Sequence, residues 1–218
     1  MNLESKDLYA ALMHELKNNL GLLGMTVDGI PLTGQPEHDQ VVDEARLLCQ
    51  RVVDRLQQAL LVYKAQDQAI QPTVDAYSPR DLADELRDTA ASLARNRLEV
   101  DVQVAEDVPA IWFFDRNLVE MALINAIHNS LGYAKGRIRI GLAQREGYLD
   151  LCVWDDSDGF PQHVLEAFAE RKPYRSTGTG LGLQFAQLVA EAHENKGRLG
   201  ELRLSNKDGG ALFSLRLP

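Results

Sequence analysis

Two short strings far apart in the chain carry residue types suited to phosphoryl chemistry. His14 lies in HELKNNLGLL, and Gly178, Gly180 and Gly182 alternate in GTGLGL, just before an apolar run with helical spacing. A deprotonated imidazole can attack a γ-phosphate, and the backbone N–H groups of a glycine-rich helix start can bind the phosphates of a nucleotide. The glycine string is not a Walker loop, because no Gly-Lys-Ser/Thr follows it. Neither string is decisive alone, but together they indicate phosphoryl transfer.

Between these strings lie polar residues that could bind a metal nucleotide. Asn125 and Asn129 are one helical turn apart and therefore share a face, where an amide oxygen could bind Mg²⁺. Asp155 follows a core-like run and precedes Gly159, so its carboxylate could accept a hydrogen bond from the exocyclic amine of adenine. Taken singly, two asparagines on a helix are more often solvated or capping residues, and an acidic turn needs no ligand.

His14 belongs to a predicted amphipathic helix whose apolar residues lie on one stripe. They recur at steps of three and four residues: Leu8, Leu12, Leu16, Leu20, Leu23 and Val27. His14 falls on the opposite side of the helical wheel, with Asn18 one turn away on the same face. The turn-forming residues 29–36 end this helix, and a second apolar helix follows over residues 41–63. A lone hairpin would leave much apolar surface uncovered, so we expect a homodimer in which the N-terminal helices form a four-helix bundle.

The rest of the chain has the pattern of an α+β layer. The polar residues 67–77 predict a linker between a helical hairpin, residues 1–66, and a second domain, residues 78–218. The predicted helices of this domain cover 78–95, 116–131 and 180–193, and its predicted strands cover 98–104, 110–114, 138–142, 149–153, 199–205 and 211–217. We expect an antiparallel or mixed sheet with helices on one face.

The composition argues against some classes of function. The chain of 218 residues has a formal net charge of -9 and a pI of about 5.0, which works against binding to nucleic acid or to an anionic membrane surface. No apolar run approaches the roughly 20 residues that cross a bilayer, and the first residues lack the features of a signal peptide. We therefore expect a cytoplasmic protein with neither a membrane nor a nucleic-acid partner.

The order of these motifs resembles that of the bacterial two-component sensor histidine kinases. A His-Glu helix, an asparagine helix, an aspartate-glycine turn and a GxGLGL loop follow one another over residues 8–218. The resemblance implies a dimerisation and phosphotransfer hairpin, followed by an α/β sandwich ATPase domain of the type shared with gyrase, Hsp90 and MutL. It also implies ATP and Mg²⁺ as ligands, and the receiver domain of a response regulator as phosphoryl acceptor. This sequence contains no sensor, transmembrane or HAMP-like segment, so we expect a separate input protein.

The resemblance assigns roles to individual residues. In the first helix, His14 matches the phospho-acceptor, Glu15 the general base, and Asn18 the residue that orients water when a regulator is dephosphorylated. In the second domain, the residues that match nucleotide-binding positions are Asn125, Asn129, Asp155, Gly159, Gly178, Gly180, Leu181 and Gly182. Among these, Asn129 matches the Mg²⁺ ligand and Asp155 matches the aspartate that reads adenine.

The sequence departs from the family pattern at four places. Asn19 stands where many members have proline, and Gly132 occupies a position that is usually basic. Ser157 replaces the first glycine of the DxGxG turn, where a side chain could crowd the nucleotide. Residues 160–177 form a short lid without a clear phenylalanine motif. These departures weaken the expectation of fast ATP turnover more than that of the fold.

The leading hypothesis is a histidine kinase core that phosphorylates His14 from ATP-Mg²⁺ and passes the phosphoryl group to an aspartate of a response regulator. One alternative is a histidine phosphotransferase whose ATPase domain is degenerate, which the residues Gly132 and Ser157 favour. The other alternative is a phosphatase or scaffold for a response regulator, acting through Asn18 and an apolar fringe at Leu22 and Met25.

Overall fold

The computed structural model describes residues 3–65, 69–94, 97–170 and 180–218, and the side chains of residues 3–14, 17 and 36 lie outside this description. The chain divides into two compact units, Met1–Asp67 and Gln68–Pro218. None of the helices in the described ranges combines the length and the apolar character needed to cross a membrane.

The first unit is a helical hairpin. Helix α1 covers Leu3–Asp28 and helix α2 covers Pro36–Lys64. The Asp39 carboxylate fixes the loop between them, because its two oxygens accept from the backbone N–H groups of Thr33 at 2.8 Å and Gly34 at 2.9 Å. Arg46 of α2 donates to the carbonyl oxygens of Asp28 and Ile30, each at 2.9 Å. These bonds hold the end of α1 against the first turns of α2.

The hairpin leaves most of its apolar residues uncovered. Among its described side chains, Val42 is the buried hydrophobic one. The large apolar residues that stay exposed lie on both helices and in the loop between them: Leu16, Leu22, Leu23, Met25, Ile30, Leu32, Val41, Leu48 and Val52. Apolar area of this kind needs a covering surface, and a second hairpin is the arrangement that supplies one in four-helix bundles. The four-helix bundle stays a prediction.

The second unit is an α+β layer. Its elements in chain order are β1 Asp75–Tyr77, α3 Pro79–Ala94, β2 Glu99–Val104, β3 Trp112–Phe114, α4 Arg116–Tyr133, β4 Arg137–Arg145, β5 Tyr148–Asp155, α5 Gln162–Ala169, α6 Leu181–Ala192, β6 Glu194–Asn195, β7 Arg198–Leu199, β8 Glu201–Lys207 and β9 Gly210–Leu217. Five strands form a sheet in the order β2-β4-β5-β9-β8, in which β2 runs parallel to β4 and the other neighbours are antiparallel. The sequence predicts an antiparallel or mixed sheet, and the sheet is mixed.

Alternation along the strands places the core on one face of the sheet. In β4 the residues Ile138, Ile140 and Leu142 are buried, and Arg139 and Gly141 between them are not. The helices α3, α4 and α6 pack against this sheet. Because successive side chains of a strand point to opposite faces, the apolar residues of β4 face the helices and Arg139 faces the other side of the sheet.

Three parts of this unit differ from the sequence-based expectation. Residues 75–77, expected within a linker, form β1 and pair with β3, so β3 lies outside the main sheet. Helix α5 occupies much of the segment expected as a lid, and a small β6–β7 hairpin follows α6. The pairing of β1 with β3 joins segments more than thirty residues apart, which local patterning does not reveal.

His193 is a buried structural residue. It follows α6 and is only 3% exposed. Its Nε2 accepts from the backbone N–H of Asp115 at 2.9 Å, and its Nδ1 lies 2.7 Å from the carbonyl oxygen of Val189. The two bonds together require the neutral ring with its proton on Nδ1. Burial lowers the pKa of His193, although the Val189 carbonyl and Asp115 act in the opposite direction.

We therefore expect the second unit to lose stability in mild acid. The lowered pKa means that the unfolded chain binds a proton below about pH 6.5 that the folded chain does not, so the free energy of unfolding falls as the pH drops below this value. Urea unfolding followed by tryptophan fluorescence at pH 7.5 and 5.5 measures the change, since Trp112 and Trp154 both lie in this unit. His193→Gln should lower stability by about 1–3 kcal/mol at pH 7.5 and flatten the pH dependence in this window.

The exposed His163 of α5 provides the matched control. His163→Gln should keep the stability and the pH dependence of the unchanged protein. An equal pH dependence in the His193→Gln and unchanged proteins would refute the role given to His193.

Candidate functional site

A buried carboxylate marks the end of the central strand β5. Asp155 is 5% exposed and pairs with Ile138 of β4 on one side and Ala211 of β9 on the other. Its Oδ2 accepts from the Ser130 hydroxyl at 2.7 Å, and its Oδ1 accepts from the Ser157 backbone N–H at 3.0 Å. An ionised carboxylate has about four acceptor positions, so Asp155 can take a further donor.

Ser130, which sequence reasoning missed, is the helix residue that orients this carboxylate. It lies in α4, directly after Asn129, and is itself buried. Its hydroxyl reaches an aspartate 25 residues later in the chain. A serine in a helix carries no signal of such a distant partner, so only the packing of α4 on β5 identifies it.

Gly210, also missed, lets strand β9 approach Asp155 closely. A Cβ atom at Gly210 would overlap the Asp155 carbonyl oxygen and lie 2.9 Å from the carbonyl carbon. Real Cβ atoms do not come this close to backbone, so the position requires glycine. The start of β9 thus fixes the backbone of Asp155 as Ser130 fixes its side chain.

The turn after Asp155 is braced from within. The Ser157 hydroxyl accepts from the Gly159 backbone N–H at 3.1 Å, and Ser157 is buried. Gly159 has a φ of 86°, in the left-handed region that favours glycine. Ser157 stands where the family has a glycine, and its hydroxyl forms a hydrogen bond within the turn, as serine hydroxyls often do.

The residues that follow α4 also hold this turn in place, through bonds to Asp156. Asp156 Oδ1 accepts from the backbone N–H groups of Lys135 at 2.8 Å and Gly136 at 3.1 Å. The Lys135 ammonium group also contacts the carboxylate of Asp158. Burial alone would raise the pKa of Asp156, but the backbone N–H groups of Gly136, Arg137 and Lys135 outweigh it and lower that pKa. Asp156 is thus a structural carboxylate, distinct in role from Asp155.

The predicted amide pair lies beside the start of helix α6. A Cβ atom at Gly182 would lie 2.7 Å from Cγ of Asn125, so the glycine lets α6 pack onto the Asn125 amide. Within the described residues, the buried Nδ2 of Asn125 has no hydrogen-bond partner. Asn129 is exposed on α4. Gly180 has a φ of 68° and precedes the first helical residue, Leu181.

These residues fit a metal nucleotide. The buried Asn125 amide, without a partner in the described part of the chain, and the backbone N–H groups in the first turn of α6 both favour an anion such as a phosphate. The exposed Asn129 can supply an amide oxygen to Mg²⁺, which usually completes its shell with phosphates and water. The described residues contain no group of three His, Cys, Asp or Glu side chains that could hold a metal by themselves. Gly178 lies outside the described residues.

The predicted phosphotransfer residues lie in the first unit. His14, Glu15 and Asn18 all belong to α1, and the side chains of Glu15 and Asn18 are exposed. The side chain of His14 lies outside the described part of the chain, so its place on the helix face stays a prediction.

Known proteins are similar to this chain over one or both of its units. Residues 114–218 match the family of histidine kinase-, DNA gyrase B- and HSP90-like ATPases. The chain is 30% identical over 222 residues to the sensor protein kinase CarS of Pseudomonas aeruginosa, a match that covers 98% of this chain and 46% of CarS. It is 34% identical over 146 residues to the signal transduction histidine-protein kinase AfsQ2 of Streptomyces coelicolor, covering 63% of this chain and 26% of AfsQ2. This chain therefore spans less than half the length of either relative.

Solved structures share the fold. Full-length ShkA, determined in complex with AMPPNP, matches with a TM-score of 0.70 at 21% identity, over 97% of this chain and 45% of ShkA. The Acinetobacter baumannii histidine kinase AdeS matches with a TM-score of 0.61 at 17% identity, over 94% of both chains. Each covers both the hairpin and the α+β layer.

Proposed function

Because this chain belongs to the two-component histidine kinases and carries their catalytic core, we propose that it transfers the γ-phosphoryl group of ATP to its own His14. The observation that carries the proposal is Asp155, a buried carboxylate held by Ser130 and Ser157 with acceptor capacity left for an adenine amine. In this proposal, the glycine-rich start of α6 and the Asn125 amide bind the phosphates of the same nucleotide.

The transfer needs few chemical groups from the protein. An imidazole nitrogen of His14 forms a bond to the γ-phosphorus while the bond to the β–γ bridging oxygen breaks, so that ADP leaves. Glu15, the next residue on α1, takes the imidazole proton. Bound Mg²⁺ supplies neutralisation of phosphate charge. The remaining work is positioning, which Asp155 and the start of α6 perform on the nucleotide.

The proposal includes partners. A second copy covers the exposed apolar residues of α1 and α2, giving a homodimer through the N-terminal helices. The phosphoryl group then passes from His14 to an aspartate of a response regulator receiver domain. The proposal places the protein in the cytoplasm, where ATP and receiver domains are both present.

Labelling with γ-³²P-ATP and Mg²⁺ tests the kinase proposal. The label should be acid-labile and base-stable, as a phosphoramidate is, and His14→Gln should remove it while leaving ATP binding unchanged. The proposal is refuted if the protein binds ATP but acquires no label under conditions in which a control histidine kinase is labelled.

A histidine phosphotransferase is the second candidate. Gly132 supports it, because this position of α4 has open space around it and no basic side chain to contact a phosphate. Titration calorimetry distinguishes the two functions, since a relay protein with a degenerate ATPase unit has no affinity for ATP. The intact contact between Asn125 and Gly182 favours the kinase.

A phosphatase or scaffold for a response regulator is the third candidate. Asn18 is exposed on α1, as are Leu22 at 63% and Met25 at 73%. If this function holds, Asn18→Ala slows the dephosphorylation of a phosphorylated receiver domain; an unchanged rate excludes it.

A further inference from the structure

The side chain of Asn206 holds the backbone of Phe160 by a pair of hydrogen bonds. Its Oδ1 accepts from the Phe160 N–H at 2.7 Å, and its Nδ2 donates to the Phe160 carbonyl oxygen at 2.9 Å. Because a backbone N–H can only donate and a carbonyl can only accept, the pair also fixes the orientation of the amide. Asn206 therefore binds residue 160 as a neighbouring strand would, although the two are 46 residues apart.

Phe160 is the last residue of the turn that begins at Asp155. The preceding residue, Gly159, lies directly under the Asn206 amide, since a Cβ atom at Gly159 would lie 2.7 Å from Asn206 Cγ. The following residue, Pro161, is the N-cap of α5. The contact thus fixes the point where the turn ends and α5 begins.

The turn is held at both ends by different elements. At its start, Ser130 of α4 bonds to the Asp155 carboxylate, and at its end Asn206 of β8 bonds to Phe160. The residue after Asn206 contributes as well, because the Lys207 carbonyl accepts from the Trp154 indole N–H at 2.9 Å. A loop held in this way has little conformational freedom left to lose when a ligand binds.

We propose that Asn206 is a positioning residue for the nucleotide, which keeps Gly159 and Asp155 in the geometry that receives the adenine ring. The proposal rests on the proposed function, since it assumes that Asp155 binds adenine. Asn206 acts through the backbone of Phe160 and does not itself touch the nucleotide. Its removal therefore weakens binding by allowing the turn to move, and leaves the phosphoryl transfer step intact.

Asn206→Ala in the full chain tests the proposal, with Asn195→Ala as the matched change at an exposed asparagine of β6. Titration calorimetry should show ATP affinity reduced by about 3- to 10-fold for Asn206→Ala and unchanged for Asn195→Ala. Labelling at saturating ATP should proceed at the unchanged rate, with the loss confined to KM. Amide exchange followed by NMR should speed up at Phe160 and not along β5.

If the starting protein binds ATP, two results would overturn the proposal. One is unchanged ATP affinity in Asn206→Ala while the starting protein binds ATP, which refutes the role of Asn206 and leaves the proposed function standing. The other is a loss of affinity that accompanies a general loss of stability and of the rate at saturation, which is the mark of a structural residue. If the starting protein binds no ATP, the proposed function itself is wrong, and the role of Asn206 in nucleotide binding is refuted with it.

Discussion

Replacing Asp155 by asparagine is expected to lower the affinity for ATP by about 30- to 150-fold, which corresponds to about 2–3 kcal/mol. The carboxylate offers only acceptors, and donors from Ser130 and Ser157 already occupy one position on each oxygen. An amide in its place has one oxygen and one NH₂ group. If the NH₂ group faces the Ser157 N–H, two donors oppose each other; if it faces Ser130, the hydroxyl must turn to accept, and the single remaining oxygen must accept from both Ser157 and adenine.

Titration calorimetry with ATP and Mg²⁺ measures this loss, and Asp158→Asn is the matched control. Asp158 lies in the same turn, but its side chain is 91% exposed and contacts Lys135. The same change of carboxylate to amide should therefore leave ATP affinity within about twofold there, since exposed ion pairs contribute little. Equal affinities for the two variants would contradict the role of Asp155.

Replacing Gly210 by alanine is expected to lower the free energy of unfolding of the second unit by about 3 kcal/mol or more. The added Cβ atom would overlap the carbonyl oxygen of Asp155, and backbone atoms inside a sheet cannot rotate away as a side chain can. Either β9 separates from β5 at its first residues or Asp155 moves. ATP affinity should fall in both cases, because both displace the carboxylate.

Urea unfolding followed by tryptophan fluorescence measures the effect, and Gly132→Ala is the matched control. Gly132 is exposed in α4, with no atom within 4 Å of the Cβ position. Alanine there should stabilise the helix by about 0.5–1 kcal/mol. If Gly210→Ala proves as stable as the unchanged protein, the close approach of β9 to Asp155 is wrong.

The sequence predicts most of the helices and strands because their signals are local. The alternation of Ile138, Ile140 and Leu142 is a property of neighbouring residues, and it identifies β4 without knowledge of its partners. The same holds for α3, which begins at Pro79 after Ser78. Strand β1 escapes prediction because three residues carry no period, and only the distant β3 defines it.

The same distinction between local and distant signals applies to the residues of the candidate site. Asp155, Gly159 and Gly182 belong to short motifs in which residue type and spacing are visible in the sequence, and their role in nucleotide binding stays a prediction. Ser130 and Asn206 escape prediction because each acts on a partner 25 and 46 residues away, respectively. Their side chains look like ordinary surface polar groups until the fold brings α4 and β8 to the same turn.

The position of the phosphoryl group after incubation with ATP and Mg²⁺ tests the central claim most directly. Tandem mass spectrometry under neutral conditions should locate it on the imidazole of His14 in the unchanged protein. The Asp155→Asn variant should carry much less at an ATP concentration near the Kd of the unchanged protein, because its affinity for the nucleotide is lower. A phosphoryl group on another residue, or none on His14 in a protein that binds ATP, would contradict the account.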